Sequence, residues 1–336
     1  MSAPSTAITR LDLSLSYGEF NLAASRAGFI GLQALPPIGV ANESSTSFPK
    51  VLVESLLRKV ETTHRAPKGT YKRDDFDWTT DSYSLDEHGV EEVVDDATIE
   101  RYGDVIRAEV IHTNRAVHRV LSALEQAIAD VLFTASFANK TAVGTTWNTE
   151  ATATPIADID GAIESVKTQC GDRPNTLILT DYGLWKLKRT DEIEDLLKYS
   201  GRDDPKNLGL LTGLMELFDL QQILVAKSFT NTADEGQSAT FSRYWDTTMA
   251  MVAKIENDGM DGDLESPNPQ LGRTIFKTEG DGAVPLPGAM DDGENALLIE
   301  EYREENRRGG VIRARTKYQV KTLHTDCAHL LTGVTT

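Results

Sequence analysis

The chain is poor in cysteine: Cys170 and Cys327 are the only two in 336 residues. Two thiols make no disulfide framework and cannot close a zinc site without other ligands, so a reducing compartment is expected. No run approaches the roughly 20 apolar residues of a membrane-spanning helix. The opening MSAPSTAITRLDLSLSYGEF lacks the basic stretch and apolar core of a secretory signal. Positive charge is scarce too, with 34 Lys and Arg against 52 Asp and Glu, a formal net charge of −18. That balance repels phosphate backbones at long range and argues against a dedicated DNA-binding role.

Catalytic signatures are also missing. The sequence has no GxxxxGKS/T phosphate loop, no GxGxxG turn after a strand, no GxSxG nucleophile elbow and no HExxH zinc helix. His324, Asp326, Cys327 and His329 crowd together with zinc-ligand chemistry. On a strand, however, His324 and Asp326 would face one way and Cys327 and His329 the other. Asp258, Asp261, Asp263 and Glu265 form the densest carboxylate group. Counted from Asp261, the calcium-loop pattern fails, because Ser266 stands where Gly is needed and Gly272 where Glu is needed. His112 and His118 do not share a helix face. No catalytic residue, metal or cofactor is assigned.

What is present fits a globular chain: 40% hydrophobic, 26% charged and 7% aromatic residues, in a length at which one core gives way to two. Residues 1–50 have scattered apolar positions and the turn-rich segment LQALPPIGVANESSTSFP. They are expected to form an extended arm, with a short helix at Phe20–Ala27 and no core of its own. Residues 51–95 pass from a basic part (Arg58, Lys59, His64, Arg65, Lys68, Lys72, Arg73) to an acidic one that begins with Asp74, Asp75 and Asp77. Gly69 separates two strand-compatible stretches there, and a long hairpin is expected.

Asp95 or Asp96 is suited to cap a helix. Apolar residues then recur at steps of three and four: Ile99, Tyr102, Ile106, Val110, Val117, Leu121, Leu124, Ile128 and Val131. Arg101, Asp104, Arg107, Arg115, Arg119 and Glu125 are read as lying off this stripe. A single helix to about Ser136 would be about 60 Å long at about 1.5 Å per residue, a rod spanning more than one core.

From Thr154 helices and strands alternate. Helix is expected at Ile156–Cys170, strand at Thr176–Thr180, one or two helices at Tyr182–Leu197, helix at Leu208–Leu217 and strand at Gln222–Ala226. Residues 257–293 are dense in Gly, Asp and Pro, which predicts loops around a strand at Arg273–Thr278. Between Val311 and Lys321, Ile312, Ala314, Thr316, Tyr318 and Val320 alternate with Arg313, Arg315, Lys317, Gln319 and Lys321. That is a half-buried strand with a cationic stripe.

The order of these parts resembles the Hong Kong 97-like major capsid proteins of tailed bacteriophages, over nearly the whole chain. WTTDSYSLDEHGVEEVVDDATIERYGDVIRAEVIHTNRAVHRVLSALEQAIADVLF is similar to the family's extended loop running into its spine helix. PNTLILTDYGLWKLKRTDEIEDLLKYSG and LLTGLMELFDLQQILVAKSFTNTA resemble its apical strands and helices, and YQVKTLHTDCAHLLTGV its closing peripheral strands. The resemblance implies an α+β fold with an N-terminal arm (1–50), an extended β-hairpin loop (51–95) and a peripheral domain with a long spine helix (96–153). An apical α/β domain (154–295) and return strands of the peripheral domain (296–336) complete it.

It also implies a function: self-assembly, through pentamers and hexamers, into an icosahedral head shell around double-stranded DNA. The implied partners are further copies of the chain, a portal protein, a separate scaffold protein and, optionally, a decoration protein. Packaged DNA would be held without sequence-specific binding, and no membrane is involved. The location is the virion, with assembly in the bacterial host cytoplasm. An encapsulin-type nanocompartment shares the fold, and an α/β enzyme without a recognised motif is the reading of a different class.

Two sets of residues are singled out for assembly. Ile99, Tyr102, Ile106, Val110, Leu121, Leu124 and Ile128 are expected to pack the spine helix. The cations Arg313, Arg315 and Lys317 are expected to meet the acidic segment from Asp74 to Asp96, notably Asp74, Asp75 and Asp77, within a subunit or across neighbours. Such pairs set orientation more than affinity. The alternative is that the stripe faces packaged DNA.

Overall fold

The computed structural model describes residues 8–9, 28–41, 46–59, 63–65, 67–71, 73, 78–102, 108–199, 208–234, 236–256, 264, 268–279, 283–286 and 295–335. Its helices are α1 (Gly31–Ala34), α2 (Val53–Leu56), α3 (Asp96–Tyr102), α4 (Ala108–Leu132), α5 (Pro155–Cys170), α6 (Asp181–Leu187), α7 (Asp191–Tyr199) and α8 (Leu208–Phe218). The strands begin with β1 (Ile8–Thr9), β2 (Pro37–Val40), β3 (Thr46–Val51), β4 (Trp78–Tyr83), β5 (Asp86–Asp95), β6 (Lys140–Ala142), β7 (Thr176–Thr180) and β8 (Gln222–Ala226). They continue with β9 (Phe229–Asn231), β10 (Phe241–Arg243), β11 (Met249–Ala253), β12 (Gly272–Lys277), β13 (Ala283–Pro285), β14 (Asn295–Glu304), β15 (Gly309–Thr322) and β16 (Ala328–Thr332).

The smaller of the two main sheets runs β6-β16-β11-β7-β8. Its central strand β7, TLILT, is buried at every position, which is why it reads as an unbroken apolar run. Successive side chains enter two different cores. Leu177 and Leu179 pack with Ile159, Ile163, Leu187 and Phe218 from the helices on one side. Ile178 packs on the other side with Met251 and with Leu124 and Ile128 of α4. Local chemistry places the covering helices. Pro155 starts α5, and Gly171 ends it with a left-handed φ of 74°. The Thr180 hydroxyl caps α6 by accepting the Gly183 N–H at 3.1 Å.

The larger sheet runs β1-β14-β15-β12-β2, with β13 added to β14 and β5 to β15. Helix α4 lies under it, and its residues Ala116, Val117, Val120, Leu121, Leu124, Ile128 and Leu132 share a core with Ile299, Ile312, Ala314 and Tyr318. As expected from alternation, Ile312, Ala314, Thr316 and Tyr318 are buried, while Arg313, Arg315 and Lys317 are half-buried.

Several expectations need correction. The structure gives helix at Asp96–Tyr102 and Ala108–Leu132, with 103–107 outside the described residues. The helix stops short of Ser136. There the Ser136 N–H turns to the Thr134 hydroxyl at 3.4 Å, the local competition that short hydroxyl side chains offer a helix. Leu121, Leu124 and Ile128 are buried, Val110 packs at the edge of the core, and Ile99 is exposed. The Tyr102 side chain and all of Ile106 lie outside the described residues. Glu125, read as off the stripe, is 3% exposed. The spacing itself puts it on the stripe, four residues after Leu121 and three before Ile128.

The reading that residues 1–50 bury no core is corrected at their C-terminal part. Ile30, Ala34 and Leu35 are buried in the α4 core, and Pro37–Val40 pairs in parallel with β12. Pro36 and Pro37 do hold the backbone extended, and at the outer position of a sheet a proline costs no ladder hydrogen bond. The expected helix at Phe20–Ala27 lies outside the described residues. The hairpin strands are Thr46–Val51 and Trp78–Tyr83, so the first falls within the expected arm. The last strand, β16, pairs with β11 in the smaller sheet and does not close the sheet that holds β15.

Candidate functional site

Three strands of the larger sheet place the cationic stripe between two acidic ones. Register puts Arg313 opposite Glu91 of β5 on one side and Glu300 of β14 on the other. The Arg313 guanidinium lies 2.7 Å from Glu91 and 3.5 Å from Glu300. Arg315 donates two hydrogen bonds to Glu300, at 3.1 and 3.2 Å, and stands 3.8 Å from Glu87. Lys317, paired in register with Glu87, reaches it at 3.6 Å. Hydrogen bonding to Glu300 holds the Arg315 guanidinium above its usual range against the opposing effect of burial. Within one subunit, then, the stripe is bracketed by Glu87, Glu91 and Glu300. Asp74, Asp75 and Asp77 lie outside the described residues.

The opposite face of β5 fastens the strand to α4. Glu92 is buried and gathers Arg119 at 2.7 Å, Arg115 at 3.3 Å and His112 at 3.4 Å. Neighbouring residues of one strand thus divide the work: Glu91 orders the outer charge row and Glu92 locks the strand to its helix.

Glu125 ties the end of the arm to the interior. Its carboxylate accepts the N–H groups of Ile30 at 3.0 Å and Gly31 at 2.7 Å and the Trp245 indole N–H at 2.6 Å. Burial pushes this carboxyl above the usual carboxylate range, while the bonds from Ile30, Trp245 and Gly31 pull it back. Gly31 is needed for the approach, since a Cβ there would sit 2.5 Å from the carboxylate oxygen. Trp245 in turn meets Phe133 edge-on, with centroids 4.9 Å apart. Sequence reasoning missed this cluster because it discounted a charged residue at an apolar spacing.

The β3–β4 hairpin rests on the sheet by its base. Phe48 and Tyr83 are buried with Ile275 and Leu323. Lys321 donates to Asp81 at 2.6 Å and to the Ser82 carbonyl at 2.7 Å, and Ser84 N–H donates to Gln319 at 2.8 Å. Lys50 also donates to the Leu323 carbonyl. Further out the apolar side chains face solvent: Trp78 is 63% and Tyr71 70% exposed.

The four residues considered for a metal separate for another reason than strand alternation. Thr325–Cys327 is a 3₁₀ turn. Cys327 is buried beside Cys170 and Val166, Asp326 accepts from Asn139 at 3.3 Å, and His329 pairs with the Thr141 hydroxyl at 2.9 Å. Burial, with a contribution from Lys50, lowers the His324 pKa to about 4. Asp258, Asp261, Asp263 and Glu265 lie outside the described residues. Of the helix histidines, His112 sits on Glu92, while His118 stacks on Phe29 with centroids 5.6 Å apart.

No family model matches the chain. The major capsid protein of Burkholderia phage BcepMu is 24% identical to it over 316 residues, 92% of each sequence. A phage-related protein from Bordetella bronchiseptica RB50 superimposes over 98% of both chains with a TM-score of 0.68 at 17% identity. The capsid of Myoviridae phage XM1 matches 91% of this chain and 92% of its own, with a TM-score of 0.52 at 10% identity.

Proposed function

We infer that this chain, which has the Hong Kong 97-like capsid fold, is the major capsid protein of a tailed bacteriophage and builds its icosahedral head shell. One observation carries the reading: the chain aligns over 92% of its length, and over 92% of the other's, with a sequence named as a major capsid protein. The chemistry agrees with it. The described polar clusters, Glu92 with two arginines and Glu125 with two backbone amides and an indole, join secondary-structure elements to one another. Such a role is structural. Contacts between copies need only be weak one by one, because closure of a symmetric shell makes them act together.

The partners of this role are a portal protein, a separate scaffold protein, a decoration protein in some heads, and packaged DNA held without sequence reading. Assembly takes place in the host cytoplasm, and the mature location is the virion head. A net charge of −18 suits a wall along which DNA slides, since many phosphate contacts would be salt-dependent brakes. Between copies, the exposed hairpin with Trp78 and Tyr71 overlaps the neighbouring subunit, and Asp74, Asp75 and Asp77 carry the acidic side of that contact toward a neighbour's cations. The divisions 1–50, 51–95, 96–153, 154–295 and 296–336 are adjusted by strand pairing: residues 30–40 are anchored as above, the hairpin begins at Thr46, β12 and β13 go with the larger sheet, and β6 and β16 go with the smaller one.

Electron microscopy of the purified chain, alone and with its scaffold, tests the assignment. Closed shells of uniform diameter are expected. A compact monomer that forms no shell under either condition overturns it, and shells filled with an enzyme and free of DNA in the native host move it to a nanocompartment.

A further inference from the structure

We propose that an aromatic and cationic face, formed by α6 and the β9–β10 hairpin, docks onto the acidic helix α7 of a second copy of this chain. The face starts on the hairpin. Phe229 pairs in register with Arg243, and Asn231 with Phe241, so all four side chains project from one side of the two strands. The Arg243 guanidinium joins the hairpin to α6, lying 2.9 Å from the Asp181 carboxylate. The same group stands 4.7 Å from the Phe229 ring and 5.8 Å from the Tyr182 ring. Tyr182 and Trp185 continue the surface with ring centroids 5.8 Å apart. Lys186 and Arg189 flank Trp185 at 4.8 and 5.0 Å.

This surface is exposed in the single subunit: Phe241 is 70%, and Phe229 and Trp185 each 47%, accessible. Contiguous exposed aromatics mark contact sites, and Trp, Tyr and Arg are the residues that concentrate binding energy at interface centres. Each cation already held over a ring gains strength when a partner excludes water.

Charge selects the occupant. Copies of a chain with net charge −18 repel one another; on this face Lys186 counters that repulsion locally, while Arg243 is paired with Asp181 and Arg189 with Glu150 at 2.9 Å. The complementary surface follows along the chain. Helix α7, DEIEDLLKY, carries three acidic residues in its first turn and exposes Asp191, Glu194, Asp195 and Leu196. Glu192 is turned inward, accepting the Ile156 N–H at 3.2 Å. The exposed acidic row Asp191, Glu194 and Asp195 fits an aromatic face that carries Lys186. One copy therefore carries both unlike halves of a head-to-tail contact, and heterologous contacts of this kind close into rings. The proposal rests on the shell assignment and names a surface for it.

The test is a charge swap in the full-length chain, assembled with its scaffold and counted as the fraction of protein in shells by sedimentation and electron microscopy. Lys186→Glu combined with Phe241→Ser is expected to lower that fraction at least tenfold, and Glu194→Lys with Asp195→Lys to do likewise. Lys186→Glu with Glu194→Lys in one chain is expected to restore most of it. Melting of the unassembled subunit checks folding, and the restoring pair excludes a merely misfolded variant. Normal assembly of both reversed variants beside an assembling wild type overturns this contact and leaves the shell assignment standing. Loss without restoration by the swap overturns α7 as the occupant. Loss of binding to an added DNA oligonucleotide, with assembly unchanged, reassigns the face to nucleic acid. A wild type that never assembles sinks the shell assignment itself and this contact with it.

Discussion

In the smaller sheet the strands β7, β11 and β16 are buried on both faces, whereas in the larger sheet the β5–β15–β14 part has one apolar face and one ruled by rows of charge. In the smaller sheet Leu177, Ile178, Met251, Val252 and Leu330 are inaccessible, and packing on two sides sets the register, because a slip of one residue would exchange the two cores. In the larger sheet the outward row Glu300–Arg313–Glu91 faces solvent in part, and cross-strand charge contributes to alignment. The first arrangement makes a rigid block. The second leaves a face whose charges remain open to salt, pH and neighbouring copies.

Breaking the packed side should cost most. Met251→Ala, which empties space between Ile178 and α4, is expected to destabilise the unassembled subunit by about 2–5 kcal/mol in urea unfolding. Next comes the anchor beneath the larger sheet. Glu125→Ala leaves the amides of Ile30 and Gly31 and the Trp245 indole without their acceptor, at about 2–3 kcal/mol. It should also open residues 28–40 to limited proteolysis, and Glu125→Gln, which keeps an acceptor oxygen, should do less of both.

The charged row should yield less. Arg313→Glu places like charges side by side and is expected to cost about 1 kcal/mol of subunit stability. A double reversal at Arg313 and Arg315 sharpens the question of whether the row also reaches other copies. Impaired assembly that depends on salt supports such contacts, and unchanged assembly at low and high salt discards them.

Least of all is expected from the hairpin base. Burial acts to raise the Asp81 pKa, but the hydrogen bonds from Lys321 and the Ser82 N–H, together with the charges of Lys321 and Lys50, outweigh it and hold the carboxyl below its ordinary value. A depressed folded-state pKa means stability present above about pH 4 and lost as pH falls through the folded value. Lys321→Met should therefore be slightly less stable at neutral pH, with its acid unfolding curve converging on that of the wild type. Parallel curves across the acid range would show that the pair contributes nothing.

How much of this was legible in advance depended on whether one element's own period carried the information. Pro155–Cys170, Thr176–Thr180, Gln222–Ala226 and Gly309–Thr322 were readable because buried faces, caps and alternation are written into adjacent residues. Glu125 was misread although its spacing was correct, since a carboxylate belongs in a core only if donors come to meet it, and those donors are more than ninety positions away. Ile30–Leu35 looked like part of an arm for the same reason. Its apolar residues are too few to make a core, but sufficient to complete one.

Composition, charge balance, helical and strand periods and the cationic alternation of β15 belonged to the sequence alone, because each is a local or a summed property. The choice of sheet for β2, β12 and β16 was made only in three dimensions, as were the meeting of Cys170 with Cys327 and the union of Phe229, Phe241 and Arg243 with α6. A residue pattern states which face wants a partner. Chain closure over tens to hundreds of residues decides which partner arrives.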